Sequence, residues 1–177
     1  QFSISHYPRV AAPARRHAAL ILFPSKDPYH VSRFQSLYAI SRYTQSYISR
    51  FWGRGAGIIY PPTTYSCSGR MPAKKDIVLC IGRLVPFKKH LEVVEAFQRA
   101  RMKGWKLHII GTSGQNLSYE ADLQAVAAKF KNVELFVDIT DKQLERQYNH
   151  ARLLVGGMGL GASHPSGFEH WGLTQVE

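Results

Sequence analysis

The chain has 177 residues, 45% hydrophobic and 12% aromatic, and a formal net charge of +11. That composition suits a packed core and excludes an intrinsically disordered chain; no apolar run approaches the roughly 20 residues of a membrane-spanning helix. Two cysteines, Cys67 and Cys80, are too few for a disulfide framework, and Cys80 in "DIVLCIG" reads as a small buried hydrophobe in a reducing, cytoplasmic setting.

The first residues, "QFSISHYPRV", open without Met and without a signal-peptide pattern, and nothing caps the chain beyond Glu177, so the expectation is an internal fragment. Residues 1–60 carry eight Lys/Arg against one acid, Asp27, whereas residues 61–177 carry fifteen against eleven. A basic front end attracts nucleic acid, anionic lipid or phosphorylated ligands, or is simply a solvated surface. Residues 1–35 read as loop. "SLYAIS" (36–41), "RYTQSYISRFW" (42–52) and "GAGIIY" (55–60) read as strand, helix and strand, enough for the end of a domain. "YPPTTYSCSGRMPAKK" (60–75), rich in Pro, Ser, Thr and Gly, reads as a linker. The division expected is therefore 1–60, a linker over 61–75, and a second domain over 76–177.

From residue 76 short apolar runs alternate with helical patterns. "DIVLCIG" (76–82), "KLHIIG" (106–111), "NVELFVD" (132–138) and "ARLLVGG" (151–157) look like strands covered on both faces. Leu91, Val94, Phe97 and Ala100, flanked by Val93 and Ala96, mark one helix face, with Glu95 placed to support Arg99. Leu123, Val126, Ala127 and Phe130 mark a second helix. Thr140 opens a third, with Gln143 completing a capping box. Strand and helix alternating at this spacing predict an α/β fold with a parallel sheet and flanking helices, and ligands of such sheets sit off the carboxyl ends of the strands. That rule gathers Gly82–Lys89, Gly111–Asn116, Asp138–Thr140 and Gly156–Trp171 around one crevice.

Three features converge there. In "GRLVPFKKH", Arg83 and Lys88 can both reach over a strand end, and two cations on one loop suit a diphosphate; a solvated loop accounts for them equally simply. In "PSGFEHWGLTQVE", Gly172 opens a helical run, Leu173–Glu177, whose exposed N–H groups favour an anion. Glu169 and Glu177 are acceptors only, better suited to sugar hydroxyls than to phosphate, though helix-dipole compensation and plain exposure also explain them. In "IIGTSGQN", Gly111 and Gly114 bracket a turn that needs no ligand to explain it. No Asp-x-Asp sequence offers ligands to a divalent ion. His164 and His170 lack a third partner in sequence for zinc, and His6 in "SHYPR" reads as a loop histidine.

"CIGRLVPFKKHLEVVEAF" and the Glu-seven-residues-Glu motif resemble the family 4 retaining glycosyltransferases, which have the two-domain GT-B fold. "AISRYTQSYISRFWGRGAGIIYPP" is similar to the family's passage from acceptor domain to linker. The sequence departs at Lys89, where a glycine is usual, and at His170-Trp171, where Gly-Phe is usual. The resemblance spans roughly Phe34–Glu177. It implies a GT-B-type fold truncated at both ends: residues 1–60 the remnant of an acceptor domain, residues 76–177 an incomplete, Rossmann-like donor-binding domain, and a fragment inactive alone. It implies that Arg83 and Lys88 stabilise the departing diphosphate, Glu169 holds hydroxyls of the transferred sugar and Glu177 binds the ribose. The N–H groups of Gly172 and Leu173 would touch a phosphate, the backbone near Asp138–Ile139 would face the base, and Gly82, Gly111 and Thr112 would line the donor site. The substrate implied is a GDP- or UDP-linked hexose, with mannose among the candidates and neither cofactor nor metal. The acceptor would be a glycan or a lipid-linked molecule, met at an anionic membrane face by Arg9, Arg15 and Arg16. Competing readings are a nucleic-acid-binding module, against which stands the want of an RNA-binding signature, and a nucleotide-sugar epimerase of the same fold.

Overall fold

The computed structural model describes residues 2–5, 16–22, 31–62, 72–163 and 167–172. They fall into two compact units, one drawn from residues 1–63 and 164–173 and the other from residues 64–163.

The first unit holds a four-stranded parallel sheet in the order β1 (Phe2–Ser5), β2 (Arg16–Ile21), β3 (Ser36–Ala39), β4 (Gly57–Ile58). Helix α1 (Arg42–Trp52) makes the crossover from β3 to β4. Its start is set by Ser41, whose hydroxyl accepts from the Thr44 N–H at 3.1 Å, and its end by Gly53 in the left-handed region at φ 61°. Ala19, Ile21, Phe34, Leu37, Ala39 and Ile48 form the core. Arg54 ties down the turn before β3, donating to Val31 O at 2.6 Å and Phe34 O at 2.9 Å. The strand, helix and strand expected over 36–60 are present. The loop expected over residues 1–35 is not: it contains β1 and β2, paired in parallel. β2 reads "RHAALI", whose small alanines give little local strand signal, so the pairing rests on partners distant in sequence.

The second unit holds β5 (Lys75–Ile81), β6 (Lys106–Gly111), β7 (Val133–Val137) and β8 (Ala151–Leu154), all parallel, in the order β7-β6-β5-β8. Helices α2 (His90–Ala100) and α3 (Leu117–Ala127) carry the chain outward from β5 to β7. Helix α4 (Asp141–His150) carries it back across to the far side of β5. Alternation along the strands separates the two faces. Val78, Cys80, Leu107 and Ile109 meet Val94, Phe97 and Leu123 on one side, and Ile77, Leu79 and Ile110 meet Leu144 and Tyr148 of α4 on the other. The sheet is therefore doubly wound, and the strand order reverses between β5 and β8.

Two details depart from expectation. The face that α2 buries is His90, Val93, Val94 and Phe97, with Ala96 and Ala100 exposed. β8 is an edge strand whose Leu153 and Leu154 are 47% and 37% exposed, so it is not covered on both faces. The capping box of α4 is formed as expected, Thr140 accepting from the Gln143 N–H and the Gln143 side chain accepting from the Thr140 N–H.

Candidate functional site

All four strands of the second unit point their carboxyl ends the same way, so Gly82–Lys88, Thr112–Gln115, Asp138–Thr140 and Val155–Met158 gather at one edge. The loop after β5 is firmly built. Gly82 N–H donates to Ile110 O at 3.0 Å and Leu84 N–H to Thr112 O at 3.4 Å, stitching it to the end of β6. Leu84 is buried beneath it, and Pro86–Lys88 form one 3-10 turn.

Arg83 stands exposed on this loop with neutral partners. Its Nη1 donates to Gln115 Oε1 at 3.3 Å and its guanidinium lies 5.3 Å from the centre of the Phe87 ring. Among the described residues it makes no ion pair, so its charge is oriented without being neutralised. Lys88 is half-buried, and its Nζ lies 3.4 Å from Met158 Sδ. That contact bridges the loops after β5 and β8, the two strands between which the order reverses. Lys89, at the position where the resemblance expects glycine, has φ 60°, in the left-handed region that glycine enters without strain. Its ammonium pairs with Glu92 at 2.8 Å, which raises the Lys89 pKa; hydrogen bonding to Lys89 helps hold Glu92 below its usual value, against the burial that opposes it. Gly157 makes room for Lys89: a Cβ there would lie 2.8 Å from Lys89 Cβ and 2.8 Å from Lys88 O.

Gly111, the last residue of β6, serves packing, whereas Gly114 in the loop after it serves backbone conformation. A Cβ on Gly111 would stand 2.4 Å from Leu84 Cδ2 and 2.5 Å from Gly82 O. Gly114 has φ 86°. Asp138, itself at φ 51°, accepts from the Ser113 N–H through Oδ1 at 3.0 Å, and its own N–H donates to Gly111 O at 3.0 Å. Its carboxylate thus organises the neighbouring loop. Thr112 is exposed and Ile139 half-buried at the same edge.

Residues 167–172 belong to the first unit. Phe168 and His170 pack on Tyr43, with ring centroids 6.4 and 5.6 Å away, and Trp171 stacks on Tyr60 at 4.9 Å. Glu169 Oε1 accepts from the Gly172 N–H at 3.2 Å, so that N–H, expected at a phosphate, is donated here to a carboxylate. Gly172 has φ 69°. The helix expected from Leu173, and Leu173 and Glu177 themselves, lie outside the described residues, as do His6 and His164.

The structure thus brings Gly82, Arg83, Lys88, Gly111, Thr112, Asp138 and Ile139 to one edge of the second unit and places Glu169 with Gly172 in the first. The sequence reading missed Gln115, Phe87 and Met158, which hold the cations, and His90, buried beside Lys88. The one available signal for His90 was its place at the start of α2, directly after the two lysines.

Parallel sheets with flanking helices and a cation-bearing loop at the point where strand order reverses define a GT-B-type α/β protein. Residues 65–177 match the family model for glycosyl transferases group 1, and the chain belongs to that family. No curated protein sequence matches it. Among solved structures it is similar to a glycosyltransferase from Rickettsia africae (12% identity, TM-score 0.60, covering 80% of this chain and 45% of that one). It is also similar to TarM (16% identity, TM-score 0.60, 82% and 33%) and to the pneumococcal O-GlcNAc transferase GtfA in complex with UDP and GlcNAc (13%, 0.50, 82% and 34%). The chain spans less than half the length of each of these structures.

Proposed function

We propose that the protein is a retaining glycosyltransferase of the family 4 type, moving a hexose from a GDP- or UDP-linked donor to a glycan or lipid-linked acceptor. Mannose is a candidate for the sugar. The observation that carries this reading is the firmly built loop after β5, which Arg83 and Lys88 share at the reversal of strand order, the partners of Arg83 among the described residues being the Gln115 amide and the Phe87 ring.

When the bond from sugar to diphosphate breaks, negative charge grows on the departing phosphate. Arg83 donates to phosphate oxygens in a fixed fork and Lys88 supplies a point charge, so charge is met by groups already in place. The reading needs no metal for that step. Family membership supports the donor class, and the UDP and GlcNAc held by GtfA support a nucleotide-linked sugar. From the resemblance, Glu169 serves the sugar hydroxyls, Glu177 the ribose, and the backbone at Asp138–Ile139 the base. Residues 76–177 are then the donor domain and residues 1–60 acceptor-side structure. No helix among the described residues is long and apolar enough to cross a membrane; peripheral contact of the basic front end with an anionic membrane face belongs to this proposal.

The test is calorimetry of the full-length protein with GDP-, UDP- and ADP-sugars, beside turnover of an Arg83→Ala variant. Removing one preorganised donor of this kind costs about 10²–10³ in kcat. Turnover should fall far more than nucleoside affinity; equal losses would sink the role given to Arg83. The anomer of the product, read by NMR, decides retention.

A further inference from the structure

His90 is the first residue of α2 and is 1% exposed. Its Nδ1 is fully buried with no hydrogen-bond partner. Its Nε2 is turned towards the loop after β5: a Cβ built on Gly82 would stand 3.6 Å from His90 Nε2 and 3.5 Å from Lys88 Cδ. Imidazole and lysine stem therefore converge over the one residue of that loop with no side chain. The start of α2 faces the same place. Lys89 gives it no side-chain cap, and the Leu91 N–H is met instead by the Tyr119 hydroxyl, from α3, at 3.3 Å.

We propose that His90 is a ligand-contacting residue of the donor site, its Nε2–H donating to an oxygen of the nucleotide diphosphate beside Lys88. This rests on the donor-site reading above and adds to it a residue outside the Arg–Lys pair. Burial, and then the neighbouring Lys88 ammonium, push the His90 pKa down to about 4, so the ring is neutral near neutral pH. A neutral imidazole carries one proton, and on Nδ1 it would be a donor sealed away with nothing to bind. On Nε2 it faces Gly82 and the Lys88 stem. The positive end of the α2 dipole, over an eleven-residue helix, favours an anion in the same spot.

The experiment measures binding of GDP, UDP and ADP, and of guanosine, uridine and adenosine, to the full-length protein by calorimetry. Wild type is compared with His90→Leu, His90→Gln and His90→Asn, each checked by thermal melting. A glutamine amide nitrogen reaches the place of Nε2, whereas an asparagine amide reaches only that of Nδ1. The expectation is that His90→Leu and His90→Asn weaken the preferred diphosphate about tenfold to a hundredfold, the worth of one hydrogen bond to a charged group. His90→Gln should recover most of that loss, and nucleoside affinity should be unchanged in all three. Should His90→Leu fail to fold, the contrast of Gln with Asn carries the test. Unchanged diphosphate affinity in His90→Leu, or Gln and Asn variants that cannot be told apart, would overturn the role of His90 while leaving the donor site standing. A wild-type protein that binds none of the diphosphates would overturn the donor-site reading and this inference with it.

Discussion

Gly111→Ala separates a glycine that clears space for a ligand from one that clears space for the fold. The added methyl would sit 2.4 Å from Leu84 Cδ2 and 2.5 Å from Gly82 O. Leu84 is 1% exposed and cannot swing away, and Gly82 O belongs to backbone pinned by the Gly82 N–H to Ile110 O bond at 3.0 Å. Overpacking of this kind costs about 1–3 kcal/mol, and loosening one backbone hydrogen bond about 1 kcal/mol more. A total of about 2–4 kcal/mol lowers the melting temperature of a unit this size by roughly 10–25 °C. The assay is thermal unfolding of the full-length protein followed by circular dichroism, repeated with saturating nucleotide. Leu84→Ala in the same background should cost less than the two single changes summed, because part of the clash leaves with the leucine. A Gly111→Ala protein that melts within about 3 °C of wild type yet binds nucleotide poorly would refute this reasoning and give the glycine a ligand-side role.

Lys89→Gly should stabilise the protein in urea titrations: relief of a left-handed lysine gains about 1 kcal/mol, more than the loss of a surface pair with Glu92 gives back. Gly157→Ala should not be rescued by that change, since a Cβ at 157 also meets the Lys88 and Lys89 carbonyls at 2.8 and 2.9 Å, and melting of the double variant checks it. Thr140→Ala should cost about 1 kcal/mol by opening the capping box of α4, again read by melting. Stability should also fall with pH between about 6.5 and 4. His90, facing Lys88, Glu92 and Tyr119, stays neutral when folded but takes up a proton when unfolded, so the unfolded state binds more protons in that window. The loss approaches about 3 kcal/mol at pH 4. Urea midpoints of wild type and His90→Gln at pH 7.5 and 4.5 check it, since the variant should lack this part of the slope; Glu92 and Glu134, both held below the usual carboxylate range, lose their contributions as pH falls below about 4.5, in wild type and variant alike.

Much of the second unit was legible because its signals are local. The run over β5 is four consecutive buried residues, Ile77–Cys80, and the α4 start is a pair of side chains three residues apart that bond each other. β1 and β2 were not legible, because strands of four and six residues, "FSIS" and "RHAALI", are too short to carry a clear local pattern and are recruited by neighbours brought up from elsewhere. Leu153 and Leu154 misled for a related reason: an apolar run states what a strand can bury, while its place at the sheet's edge decides what it does bury. At the site, the residues carrying charge could be named from the motif, but the groups that hold them could not. Gln115 lies thirty-two positions from Arg83, and Met158 seventy from Lys88.

Those supporting contacts explain why the loop tolerates a strained residue. Lys89 sits at φ 60° with no glycine to ease it, yet its N–H donates to Pro86 O at 3.0 Å, its ammonium to Glu92, and Gly157 leaves room for its Cβ. Leu84 is locked against Gly111, and the buried His90 ring turns its Nε2 towards Gly82. A loop fixed in this way keeps two cations a few residues apart, and among the described residues Arg83 is steered by an amide and an aromatic face. On the role proposed for Arg83 and Lys88, such a loop would give up part of its local stability to hold charge ready for negative charge that appears only in the transition state. Substitutions that loosen any of these fixing points should therefore reduce turnover more than ground-state affinity, even where neither Arg83 nor Lys88 is touched.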